Sequence, residues 1–502
     1  MPGKRAAVGG RSGRGGLRPD FDRSQLRRLP VGGRTCRANP GRPQRHQGRP
    51  AGQGKNNQNL TGRVKKIRIP LVLLLLTGIL TGVLTNEKTL MVPVVLLFSG
   101  AVLFLAGAHR IPVPDRRFLT VLGLWALLAR LLFIVATHSF DTPFISYIRT
   151  SDALYYEHIG RVIAGAWQEG SNIIVPSSNY GYFYWNGLIY FLVGFKPDIV
   201  RILNCVTALG VGLNLYFISL RLGGSRAAKT SFVLAVFFPS FILWSSLNLK
   251  ESLVIFLITL IVKQNLELME RFAPGKVLSM AVLLVPLVSL RFYAGILLAI
   301  CVALSYIFTA TRFLLWQRLI YSLAIFLAAG LVLQQMGYGF LGTDYVFNQS
   351  IETIGEQHQR AAYGEAAYAG DVVFRSYGDA LRYLPRGIFY FLFAPLPWQA
   401  MGPLRFITIP EMVLLYFLYV YFTAGTRHLW QVRRGDCLFL LVVIGLFGLI
   451  YSLGSSNMGG LYRVRLQVIM IAFIFISAGM QRSRALNRIS WRLSRKRLIP
   501  QQ

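Results

Sequence analysis

Ser151-Asp152-Ala153-Leu154-Tyr155-Tyr156-Glu157-His158-Ile159-Gly160-Arg161-Val162-Ile163, running on to Trp167, is the stretch on which the fold turns. Tyr155, Ile159, Val162 and Ala166 recur at helical spacing while Glu157, His158, Arg161 and Gln168 take the other face, which predicts an amphipathic helix. The segment is too polar to span a bilayer, yet strongly apolar segments flank it. It is therefore expected to lie along a membrane surface, with Asp152 where the helix starts. One acid then sits at a water–lipid boundary.

The chain has 502 residues, 54% of them hydrophobic and 15% charged, which excludes soluble multidomain readings and points to an all-α polytopic membrane protein. A formal net charge of +34 cannot reside in hydrocarbon, so it must lie in tails and loops. Cys36, Cys205, Cys301 and Cys437 are scattered without ligand spacing and suggest neither a disulfide framework nor a zinc site.

Residues 1–67 are rich in Gly, Arg, Pro and Gln with almost no apolar periodicity, which reads as a disordered basic tail. It could bind RNA or anionic headgroups through its arginines, or be a solvated tail or sequence translated upstream of the true start; no nucleic-acid partner is expected. From Ile69 onward apolar segments recur at the roughly 20 residues a bilayer requires. Spans are expected near 69–85, 90–108, 118–137, 198–220, 230–247, 252–270, 276–290, 293–310, 319–336, 404–424, 437–454 and 464–481.

The short apolar pieces 183–195 and 386–397 are decided by charge. With the N-terminus inside, the segments at 63–66, 109–117, 221–229, 270–276, 312–318, 427–434 and 482–496 all fall on the cytoplasmic side, and every one is basic. That agreement holds only if both short pieces stay in the interface. The expectation is about twelve spans in residues 68–482, cytoplasmic termini with a second basic tail at 483–502, and two large outer loops, 138–197 and 337–403, carrying amphipathic interfacial helices.

This topology gathers Asp152, Lys250, Glu251, Arg291, Arg463 and Arg465 at the outer membrane surface, where ionisable residues mark substrate paths or reaction sites. Plainer roles stay open: Ser151 or Asp152 could cap the helix, Lys250 and Glu251 could be a snorkelling pair, and the two late arginines could be interfacial anchors.

The run Ser151 to Tyr156, the segment Tyr182-Phe183-Tyr184-Trp185-Asn186-Gly187-Leu188-Ile189-Tyr190, and Arg201-Ile202-Leu203-Asn204 opening a helix that ends at Leu220-Arg221-Leu222 resemble the first half of the GT-C superfamily of membrane glycosyltransferases, nearest the family 39-like protein and lipid glycosyltransferases. Phe238-Pro239-Ser240 to Lys250-Glu251, Pro395-Leu396-Pro397-Trp398 and Tyr462-Arg463-Val464-Arg465 sit where that superfamily tends to place similar features, so the resemblance covers most of 118–481. Two spans precede the one feeding the acidic loop, and the acid is a lone Asp152 rather than a doublet. One carboxylate supplies too few oxygen ligands to imply a divalent metal.

The resemblance implies transfer of a sugar from a polyprenyl-phosphate carrier to a lipid, glycan or protein acceptor outside the cytoplasm, at a plasma (inner) membrane, in the making of cell wall or surface polysaccharide. Asp152 is the candidate general base for the acceptor hydroxyl. Lys250, Arg291, Arg463 and Arg465 are candidates for the leaving phosphate, and Tyr155, Glu157, His158 and Glu251 complete the candidate substrate contacts. Arg463 and Arg465, two apart on a helix, would diverge by roughly 200°, so one is expected to meet the phosphate while the other packs. No phosphate-binding loop or His-Glu-x-x-His motif occurs, which argues against a cytosolic nucleotide donor and against a metalloprotease. A polymerase or ligase of lipid-linked glycans, of O-antigen or exopolysaccharide type, is the alternative, on Arg360, Arg375, Arg382 and Arg386 of the second outer loop. A transporter or flippase should show mid-span polar residues and an internal repeat, and neither is evident.

Overall fold

A computed structural model describes residues 111–140, 151–175, 179–271, 273–308, 372–399 and 405–482, with scattered positions between them. The expected tails and the spans 69–85 and 90–108 lie outside the described residues, as does Arg360, and 319–336 is described only at isolated positions.

Every regular element among the described residues is a helix, and one isolated antiparallel bridge joins Ala367 to Asn457. In chain order they are α1 (Val113–Ser139), α2 (Ser151–Gln168), α3 (Gly181–Val193), α4 (Pro197–Val236), α5 (Pro239–Ser245), α6 (Glu251–Glu270), α7 (Pro274–Leu290), α8 (Phe292–Phe308), α9 (Tyr377–Phe393), α10 (Arg405–Val432), α11 (Arg434–Gly454) and α12 (Met458–Arg482). Six of them, α1, α4, α6, α10, α11 and α12, are long and apolar enough to cross a membrane, and α7 and α8 are shorter apolar helices. The chain is an all-α polytopic membrane protein.

The expected spans 198–220 and 230–247 need correcting. They form a hairpin whose turn is a single residue, Gly224, at φ 80 and ψ 179, a conformation a side chain rarely adopts. The arms then run side by side, since a Cβ on Gly212 would meet Val236 and Phe232 of the returning arm. That arm stops at Val236, and Pro239, which cannot donate to a preceding turn, opens the separate helix α5.

Helix α12 is the buried axis, with nearly all of Leu461 to Gly479 covered by protein. It crosses α10 at backbone contact, because a Cβ on Gly425 would run into the Phe475 carbonyl oxygen and one on Gly479 into that of Tyr421. Small residues permit such approach where lipid gives no hydrophobic drive between helices.

The two short apolar pieces settle into short helices. α3 has 13 residues, about 20 Å of helix and too little for a bilayer; the 386–397 piece is the end of the 17-residue α9 and the turn after it.

Helix α2 forms as expected but packs on a different face. Tyr155 and Val162 are exposed at 55% and 41%, while Ala153, Tyr156, Glu157, Gly160, Ile163 and Ala164 are covered. Gly160 decides this: a Cβ there would lie 2.5 Å from Cβ of Asn186, and Gly187 meets Ile163 in turn, so α2 and α3 cross through their glycines. Of the expected stripe, Ala166 is buried and Ile159 packs at the edge of the core, while Tyr155 and Val162 face outward.

Ion pairs mark the two ends of α6. At its C-terminal end Glu270 accepts from Arg433 at 2.7 Å and pairs with Arg221 at 3.1 Å, and Arg221 also faces Asp436. Close by, the Gly224 turn is pinned by Asp115, which accepts from Lys229, Ser225 and Tyr216 at 2.7–2.8 Å. The other end begins at Glu251.

Candidate functional site

Lys250 is the N-cap residue of α6, and its place is fixed by the segment before it. Asn204 of α4 directs its amide nitrogen to the carbonyls of Leu247 and Leu249, both at 3.0 Å, and to the Tyr182 hydroxyl. Tyr182 donates to Asn248 Oδ1, and the Asn248 amide donates to Asn186 Oδ1. With Asn248 fully buried, each of these polar groups needs a partner, and the network supplies them while holding the bend between α5 and α6 in one shape.

Glu251, 1% exposed, receives two arginines on one oxygen: Arg291 Nη2 donates to Oε1 at 3.1 Å, and Arg463 donates through Nε at 3.2 Å and Nη2 at 3.0 Å. Arg291 comes from the extended residue between α7 and α8, and Arg463 from the first turns of α12. The remaining Arg463 nitrogen, Nη1, donates to Asp152 Oδ2 at 2.6 Å. Arg463 also lies over the Trp244 ring at 5.5 Å. The structure thus brings Asp152, Lys250, Glu251, Arg291 and Arg463 together from separate elements.

The members differ in access. Half of the Asp152 side chain is exposed, whereas Glu251 and Arg291 are enclosed. Lys250 is 7% exposed, and its Nζ sits 5.8 Å over the Tyr156 ring with no hydrogen-bond acceptor among the described residues. Burial, followed by the Arg291 charge, pushes its ammonium down to about 7. A snorkelling Lys250–Glu251 pair is excluded, because both side chains are covered. Each buried charge costs several kcal/mol in desolvation, which a well-packed apolar set would avoid, so stability alone does not account for the cluster.

Arg465 is not in it. It is 1% exposed and points away from Arg463, donating through Nη1 to the carbonyls of Phe391 (3.1 Å) and Ala394 at the end of α9. Tyr419 and Tyr416 take the two carbonyls between, those of Leu392 and Phe393, so the last open carbonyls of α9 are closed by α10 and α12. Beside Arg465, Glu411 accepts from the backbone and hydroxyl of Ser240. Through Nη1, Arg465 caps the C-terminal end of α9 and stands apart from Arg463.

Of the other sequence candidates, Glu157 joins the network beside Lys250 by accepting from the Asn248 amide at 3.4 Å. Glu157 pairs with Arg201 at 3.0 Å, and Arg201 with Asp198, which faces His138. Tyr155 stands edge-on to Phe183 and His158 is exposed. Among the described residues no group of three His, Cys, Asp or Glu side chains is placed to hold a metal ion.

Among solved structures the chain is similar to ArnT from Cupriavidus metallidurans, a crystal structure bound to undecaprenyl phosphate, at 14% identity over 74% of this chain with a TM-score of 0.46. The matched part spans 62% of that ArnT chain. No family model matches the chain, and no curated protein matches it.

Trp244, Tyr156 and Asn204 were not singled out as site residues from sequence. The usable signal was Gly160: read as a close-approach glycine, it puts Ala153, Tyr156 and Ile163 on the packed face of α2.

Proposed function

We propose that the chain is a GT-C-type glycosyltransferase that moves a sugar from a polyprenyl-phosphate donor to a lipid, glycan or protein acceptor at the outer face of a plasma membrane, its termini cytoplasmic. The observation that carries this reading is the juxtaposition of a half-exposed carboxylate, Asp152, with a covered ammonium, Lys250, that has no acceptor among the described residues, beside a guanidinium that holds two acids.

The chemistry follows from those groups. Asp152 takes the proton of the acceptor hydroxyl as that oxygen bonds to the anomeric carbon; the bond from that carbon to the phosphate oxygen breaks, and its electron pair leaves with the polyprenyl phosphate. Lys250 and Arg463 receive the charge that develops on the leaving phosphate. Glu251 holds Arg463 and Arg291 in place through a single oxygen and touches no substrate. In the resting protein Arg463 Nη1 is occupied by Asp152. Donor phosphate and Asp152 compete for that nitrogen, so a seated donor frees the base.

Purified full-length protein in detergent, given polyprenyl-phosphate sugars and a mixture of lipid and glycan acceptors, is expected to release polyprenyl phosphate. No release from any donor, with carriage of labelled donor across vesicles instead, would replace this reading with a flippase.

A further inference from the structure

Helix α9 carries three distinct faces. At roughly 100° per residue, Tyr383, Gly387 and Phe391 form one side, which is buried against the bundle: a Cβ on Gly387 would lie 2.7 Å from the Ser452 carbonyl oxygen. About a third of a turn away, Tyr377, Leu381 and Ile388 form an uncovered apolar side, with Tyr377 and Leu381 more than two-thirds exposed. Beyond that side lies a basic edge of Arg382 and Arg386, with Arg375 just before the helix.

The ends of α9 are fixed. Ser376 and Asp379 form a capping box at the start, and Arg465, Tyr416 and Tyr419 close the carbonyls at the finish. Arg386 is partly engaged, donating to the Tyr368 carbonyl. Neither end can roll the helix to hide Leu381, so among the described residues the apolar side faces outward.

We propose that α9 is an anionic-lipid docking helix: its apolar side enters the acyl boundary of the bilayer while Arg375 and Arg382 engage acidic phospholipid headgroups. An apolar side with a basic edge is the arrangement that an amphipathic helix in an interface requires, and the arginines add selectivity for negative headgroups. A purely structural helix would have no use for exposed Leu381 and Ile388 beside exposed arginines. The assignment does not depend on the reaction proposed above.

The test uses the full-length protein in nanodiscs of phosphatidylcholine with phosphatidylglycerol. Leu381→Trp places a reporter on the apolar side, at a position exposed enough to accept it. Its added fluorescence, measured against the parent protein, is quenched with either lipid brominated at equal mole fraction. Brominated phosphatidylglycerol should quench roughly twofold or more above brominated phosphatidylcholine, and the ratio should fall to about one when Arg375→Gln and Arg382→Gln are added. Equal quenching by the two lipids in Leu381→Trp alone would overturn the proposal, as would a preference that survives loss of both arginines. Absence of quenching by either lipid would also overturn it, and would put another protein or a glycan on that face.

Discussion

At one end of the bundle Asp115 accepts from Lys229, Ser225 and Tyr216 and is 2% exposed; at the other, Asp152 accepts from Arg463 and is half exposed. Both are first-turn acids paired with a cation, so sequence treats them alike. What separates them is saturation. The bonds to Asp115 close on each other around the Gly224 turn, which is what a structural clamp needs, whereas among the described residues Asp152 has the single partner Arg463 and Lys250 has no acceptor. An acid with three donors is finished; an acid with one can still do chemistry.

The largest expected effect breaks the comparison at its two acids. Asp152→Asn keeps a side-chain oxygen that can accept from Arg463 but cannot take a proton, so transfer should fall by about a hundredfold or more with the fold retained. Asp115→Asn should instead lower stability by about 1–3 kcal/mol, with the folded fraction transferring at near the parent rate. Thermal unfolding and turnover measured on both variants decide the matter, and a swap of the two phenotypes would refute the distinction.

The next contrast is between two arginines of α12. Arg463→Lys keeps a charge but loses the fork that serves Glu251 and Asp152, and should weaken donor use by about 1–3 kcal/mol, roughly five- to 150-fold. Arg465→Lys should change donor use little and instead loosen the α9 end, read as faster proteolysis of the 372–399 segment. Equal, small effects on donor kinetics from both would remove Arg463 from the phosphate site.

A smaller effect comes from Lys250. Its ammonium is pushed down to about 7, so the cation is present below that pH and lost as pH rises through it. A polyprenyl-phosphate sugar is a phosphodiester whose charge does not change there. Donor kcat/KM should therefore decline by up to about tenfold per pH unit above 7, and Lys250→Arg should flatten that limb. A profile unchanged by the substitution would take Lys250 out of donor binding.

The helices near 118–137, 252–270, 404–424, 437–454 and 464–481 were legible because apolar length fixes them, and their charged ends because unpaired charge cannot stay in hydrocarbon. The resemblance carried by Ser151-Asp152 and Tyr462-Arg463 pointed to residues that the fold brings together. The details that failed depend on close approach. The hairpin turn at Gly224 and the packed face of α2 at Gly160 are set by where two backbones touch, and hydrophobic periodicity does not register a missing side chain. The divergence of Arg463 and Arg465 could be expected from helix geometry, but that Arg465 closes the end of α9 could not, because its acceptors are carbonyls of residues more than seventy positions away.

The most direct measurement is equilibrium affinity of a polyprenyl-phosphate sugar for Asp152→Asn against the parent, by scintillation proximity in detergent below pH 7. If Asp152 is the base and competes with donor phosphate for Arg463 Nη1, the variant should bind donor at least as tightly as the parent while its transfer is lost. Donor affinity falling in step with transfer would contradict the account and make Asp152 a prop for the donor site instead of the group that takes the proton.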